Sequence, residues 1–175
     1  CFVRGLALFH LKKYEEALRY FDRVQSMQPA SVIVWNISIE ACGYIGRCYF
    51  MLGKYREALK WFEKAIRMDE NGNYVDPMMN MGLVYQKMGE LEKALEMVEK
   101  AINKRKENPL YWNAKGLILL EMKQDRLAAR AFQLAEEYML KGLHARRGKN
   151  KKEPTEMEMI AEENRMTLLA KIPGF

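Results

Sequence analysis

The sequence predicts an all-α fold in which pairs of helices recur along the chain. Glycine and proline are scarce, 11 and 5 of 175 residues, too few for the many tight turns of a β-sandwich. Strong helix formers dominate, and the acids are 19 Glu against 4 Asp. Glutamate suits a helix, whereas aspartate competes with the helix backbone for hydrogen bonds. Most telling, one pattern of small and large residues returns four times. An apolar fraction of 49% excludes disorder for most of the chain, and this length is enough to bury a core. No run approaches the ~18 apolar residues of a membrane-crossing helix.

The four segments align on Ala17, Ala58, Ala94 and Ala128. Twelve residues before each stands a glycine: Gly5, Gly46, Gly82 and Gly116. Four residues after each stands a large apolar side chain: Phe21, Phe62, Val98 and Phe132. Seven after it comes Val24, Ala65, Ala101 or Ala135. Glycine on the first helix and alanine on the second let the two helices approach closely, and the phenylalanines are expected to fill the gap to the neighbouring repeat. Gly53 and Gly89 sit where a first helix ends. The repeats span about 1–30, 31–72, 75–108 and 109–142.

Two spacings are irregular. The second repeat carries seven extra residues within 31–41, close to two helical turns. Its apolar run Val32-Ile33-Val34-Trp35 predicts an unusually long first helix starting near Ser31. Asn71-Gly72-Asn73 reads as a turn before the third repeat. The chain opens at Cys1, at the fourth position of its first repeat, so a longer protein with further repeats upstream is expected. Residues 143–153 read as a basic loop. Pro154 and the capping box Thr155-x-x-Glu158 then open an amphipathic helix over about 155–171, stopped by Pro173-Gly174. Its expected role is to cap the last repeat, with insertion into the binding groove as the alternative.

This pattern resembles the tetratricopeptide repeat family, a 34-residue helix–turn–helix unit, over about residues 1–142. The closest matches to its signature are Gly46-x-x-Tyr49 with Ala58-x-x-x-Phe62, and Gly82-x-x-Tyr85 with Ala94. Departures are Arg4 and Lys115 in place of leucine, Lys12 and Lys123 in place of the turn glycine, and Val98 in place of phenylalanine. The resemblance implies a right-handed α–α superhelix of eight helices, closed by the C-terminal helix, with a concave groove for peptides. The first repeat would line that groove with Phe2, Leu6, Phe9 and His10. The second would add Tyr44, Arg47, Phe50 and Met51. The third would add Met79, Asn80, Leu83, Gln86 and Lys87, and the fourth Asn113, Leu117, Leu120 and Glu121. An apolar lining of this kind receives the apolar face of a helix, and methionine adapts to varied partners. Some members clamp a C-terminal carboxylate with lysine and asparagine. Phe2 and Leu6 stand where the first repeat would need that pair, so no such clamp is expected.

Catalysis finds no support. Serine occurs only at 26, 31 and 38, threonine at 155 and 167, histidine at 10 and 144, and no nucleophile–base pair follows from these positions. No phosphate loop is present. Cys1, Cys42 and Cys48 form no CxxC pair and have no histidine at ligand spacing, so neither a metal site nor a disulfide scaffold is expected. All three are expected to be buried free thiols in a reducing compartment, the cytoplasm. The formal net charge of +6 divides evenly between residues 1–140 and 141–175. Its one dense cluster is Lys141, Arg146, Arg147, Lys149, Lys151 and Lys152. That cluster supports a second reading, nucleic-acid or anionic-surface binding, although no aromatic side chain interleaves it for base stacking. A third reading is self-association through the first repeat or the C-terminal helix. The leading expectation is a scaffold without cofactor or metal that binds a helical or extended segment of another protein.

Overall fold

The computed structural model describes residues 1–27, 31–69, 72 and 76–147. Among them are eight helices and no strand: α1 (Phe2–His10), α2 (Tyr14–Gln25), α3 (Val32–Met51), α4 (Tyr55–Met68), α5 (Asp76–Lys87), α6 (Leu91–Lys104), α7 (Pro109–Glu121) and α8 (Asp125–Arg147). The chain divides into two compact units, Cys1–Glu90 and Leu91–Phe175. In the first, α3 is the hub and touches α1, α2, α4 and α5. In the second, α7 packs between α6 and α8.

The recurring alanines mark the tightest packing. Ala17, Ala58, Ala94 and Ala128 have no exposed surface. The glycines explain the helix pairing. A Cβ placed on Gly5 would lie 2.7 Å from Phe21 Cε1, one on Gly46 2.5 Å from Phe62 Cε1, and one on Gly116 2.6 Å from Phe132 Cε1. Each phenylalanine therefore seats its ring on the glycine of its own repeat. The sequence expectation placed these rings in the gap between repeats. Phe21 does both, because its face also stacks on Tyr44 of the next repeat at 5.5 Å.

The four turns that join the two helices of a repeat share one conformation. Lys12, Gly53, Gly89 and Lys123 have φ of 60°, 73°, 79° and 59°. At each, the following amide donates to the carbonyl five residues back: Lys13 to Leu8, Lys54 to Tyr49, Glu90 to Tyr85 and Gln124 to Leu119, at 2.8–2.9 Å. This is the Schellman end of a helix, whose left-handed residue favours glycine. Two repeats place lysine there and accept the steric cost.

The long first helix of the second repeat is present. α3 runs 20 residues, capped by Ser31, whose side chain accepts from the Val34 amide. Val32 and Ile33 on its extra turns remain exposed. At α7, Asn108 accepts from the Leu110 amide and Pro109 occupies the first turn. Two departures from the repeat pattern have local partners. Arg4 lies over the Tyr20 ring at 5.7 Å, and Lys115 forms a 2.6 Å ion pair with Glu99 of α6. The expected loop from residue 143 is corrected: α8 continues to Arg147. The rest of that segment and the helix expected over 155–171 lie outside the described residues.

Two substitutions three residues apart on α3 should move stability in opposite directions. Gly43 has no atom within 4 Å of a built Cβ, so Gly43→Ala should stabilise by about 1 kcal/mol through helix propensity. Gly46→Ala should destabilise by about 1–3 kcal/mol through overpacking against Phe62, and Phe62→Leu in the same chain should recover part of the loss. Urea denaturation measures all three. In the same assay, Lys12→Gly and Lys123→Gly should each stabilise by about 0.5–1 kcal/mol, because glycine relieves the left-handed strain.

Candidate functional site

The first helices of the repeats differ in chemistry from the second. In the first unit, α1, α3 and α5 together carry two acids, Glu40 and Asp76, whereas α2 alone carries Glu15, Glu16 and Asp22. The candidate face of this unit is built on α3, which touches α1 on one side and α5 on the other. Helical spacing places Glu40, Tyr44, Arg47 and Met51 in one row along α3.

Tyr44 organises the α1 side. Its ring meets Phe2 at 6.0 Å and Phe9 at 5.4 Å, both edge-on, and stacks on Phe21. Such offsets match the preferred geometry of ring quadrupoles. Phe9 is buried, at 8% exposure, and supports the face from beneath. Phe2 and Leu6 are half-buried against the same cluster. His10 meets Phe9 edge-on at 5.7 Å and is itself exposed. Arg47 lies over both rings, its guanidinium carbon 4.7 Å from the Phe9 centroid and 5.0 Å from that of Tyr44. Phe50 rests on Tyr55 at 5.8 Å, while Met51 is 51% exposed. On α5, Met79, Asn80, Leu83 and Gln86 are half-buried and Lys87 is exposed.

In the second unit, α7 carries Asn113, Leu117, Leu120 and Glu121. Leu117 and Leu120 pack partly against the Leu119, Ala128 and Phe132 cluster. Asn113 is half-buried and Glu121 is exposed.

A polar node escaped the sequence reading. Gln25 Nε2 donates to the Ser38 carbonyl at 2.7 Å, while its Oε1 accepts from Lys64 Nζ at 3.0 Å and from the Cys42 thiol at 3.3 Å. One side chain thus ties α2, α3 and α4 together. Lys64 also lies over Trp61 at 4.5 Å. The signal was present: Gln25 occupies the register of Ile66 and Ile102 in the next two repeats. In the second unit, Trp112 donates to the Lys106 carbonyl at 2.7 Å and stacks on Tyr138.

Cys42 and Cys48 are buried, whereas Cys1 is exposed, which corrects the expectation that all three are buried. Burial pushes the Cys42 thiol up to about 11, against a weaker opposing effect of Lys64, and the Cys48 thiol up to about 12. Both are neutral at physiological pH and make poor nucleophiles or metal ligands. Among the described residues, no three His, Cys, Asp or Glu side chains gather where they could hold a metal. No described helix is long and apolar enough to cross a membrane. In the native protein at pH 8, iodoacetamide should therefore modify Cys1 quickly and leave Cys42 and Cys48 unmodified until urea unfolds the chain, as peptide mass mapping would show. Because unfolded thiols ionise first, from about 9.0, this contribution to stability is present below that pH and is lost as pH rises through 11 and 12.

No curated protein matches the chain. Among solved structures, a crystal structure of MamA protein is 23% identical over 86% of this chain and 75% of that one, with a TM-score of 0.63. A second MamA crystal structure is 23% identical over 80% of this chain and 96% of that one, with a TM-score of 0.56. The Arabidopsis OM64 TPR domain is 16% identical over 77% of this chain and 96% of that one, with a TM-score of 0.57. At these identities the likeness establishes the fold, an all-α solenoid of helix pairs. Two profiles, both described as tetratricopeptide repeat, match residues 3–71 and 50–118, more than half of the chain between them, and the chain belongs to the tetratricopeptide repeat family of protein-interaction scaffolds.

Proposed function

We propose that the chain binds a helical or extended segment of another protein on the first helices of its repeats, with the face formed by α1, α3 and α5 in the first unit as its main site. The carrying observation is the row Tyr44–Arg47–Met51 on α3. It joins an aromatic ring fixed by three others, a cation and a half-exposed methionine, in the helix that touches both α1 and α5. Such a surface suits an amphipathic ligand, with apolar contacts supplying affinity and a few polar groups fixing orientation. Leu83 and Met79 on α5 extend the lining in the first unit; in the second unit, Leu117 and Leu120 on α7 offer a partly exposed apolar surface of their own. The reading places the protein at work in the cytoplasm, and the buried thiols Cys42 and Cys48 support that.

Affinity capture from lysate, read by mass spectrometry, tests the assignment. The chain should retain a partner that Lys60→Glu, an exposed change on α4, also retains. Met51→Glu and Leu83→Glu should each reduce recovery at least tenfold, with helicity checked by circular dichroism. A partner held equally by all four proteins would move the interaction to another surface.

A further inference from the structure

Three Lys or Arg side chains are half-buried among the described residues: Arg47, Lys64 and Lys115. Two have polar partners. Lys64 donates to Gln25 at 3.0 Å, and Lys115 pairs with Glu99 at 2.6 Å. Arg47 has only rings, Phe9 and Tyr44. The single acid on its own helix is Glu40, two turns away. A guanidinium carries five N–H donors at its edge and meets aromatic rings through its face, so the ring contacts leave its donors unused. Partial burial also raises the worth of any carboxylate that reaches it. One helical turn further on, Met51 offers half-exposed apolar surface, about 6 Å along the helix axis. On the flanking first helices, α1 carries no acid, and α5 has its one acid, Asp76, at its first residue and ends in exposed Lys87.

We propose that Arg47 is the specificity residue of this face, and that the partner segment presents to it an internal Glu or Asp side chain, with a Leu- or Met-sized residue one helical turn away resting on Met51. This deepens the proposed function and rests on it. The Phe9–Tyr44 platform holds the guanidinium in place before the ligand arrives, which lowers the ordering cost of forming the contact.

The test uses the full chain and arrays of 15-residue peptides, acetylated and amidated so that no terminal carboxylate is present. Each carries Leu at one position and Glu, Gln or Lys four residues away, in varied apolar surroundings. Binders should prefer Glu to their matched Gln versions by about tenfold and reject Lys. Arg47→Gln should bring the Glu-to-Gln ratio to about one. Arg47→Lys should keep a reduced preference, and Met51→Glu should weaken Glu and Gln peptides together. Binding with no Glu preference, or a preference that survives Arg47→Gln, overturns the assignment of Arg47 and leaves the binding face standing. An array without binders overturns both.

Discussion

Between the paired helices of three repeats, a phenylalanine ring lies directly on a glycine backbone. Phe21 on Gly5, Phe62 on Gly46 and Phe132 on Gly116 leave no room for a methyl group. This contact fixes how close the helices sit. The alanine four residues before each ring is then fully buried, and the connecting turn must be short, which calls for a left-handed residue at its bend. Lys12 and Lys123 accept that conformation against their own preference, which shows packing overriding local propensity. In the first unit the consequence reaches the candidate face. Phe21, held on Gly5, stacks on Tyr44; Tyr44, with Phe9, carries Arg47.

Periodic features were legible in the sequence because they depend on spacing along one chain. The Gly–Ala–Phe register located the helix pairs, and the seven extra residues together with Ser31 and the run from Val32 announced the length of α3. What spacing does not encode is which neighbour a side chain meets. Phe21, Phe62 and Phe132 were on the correct helix face, but their spacing did not show that each ring also seats on the glycine of its own repeat. The continuation of α8 through Arg147 was hidden by its charge, since a charged stretch reads as a loop even where the backbone remains helical. Gln25 stands in an isoleucine register, and that position was the clue to a half-buried polar node.

The candidate face was partly readable in the same sense. Family register named its residues, but only the folded chain separates their roles. Phe9 is buried support, Phe2 and Leu6 are half in the core, and Met51 is open. The relation of Arg47 to Phe9 and Tyr44 joins α1 to α3 and has no signature in either segment alone. The departures Arg4 and Lys115 follow a similar logic. The same register holds Ile45 and Met81 in the central repeats, both buried. Where a ring or a carboxylate is at hand, a cation takes the place.

The division of labour is therefore by face. Glycine and alanine contacts hold each helix pair together, and the proposed partner would use the surface of the first helices that these contacts leave open. Methionine supplies a direct readout, because its terminal methyl gives a sharp NMR signal and the side chains are spread over both kinds of helix. Spectra of methyl-labelled protein, recorded with and without the best-bound peptide, test the central claim. The account predicts shifts at Met51 on α3 and Met79 on α5, with Met97 on α6 and Met139 on α8 unmoved. Shifts confined to Met97 and Met139 would contradict it.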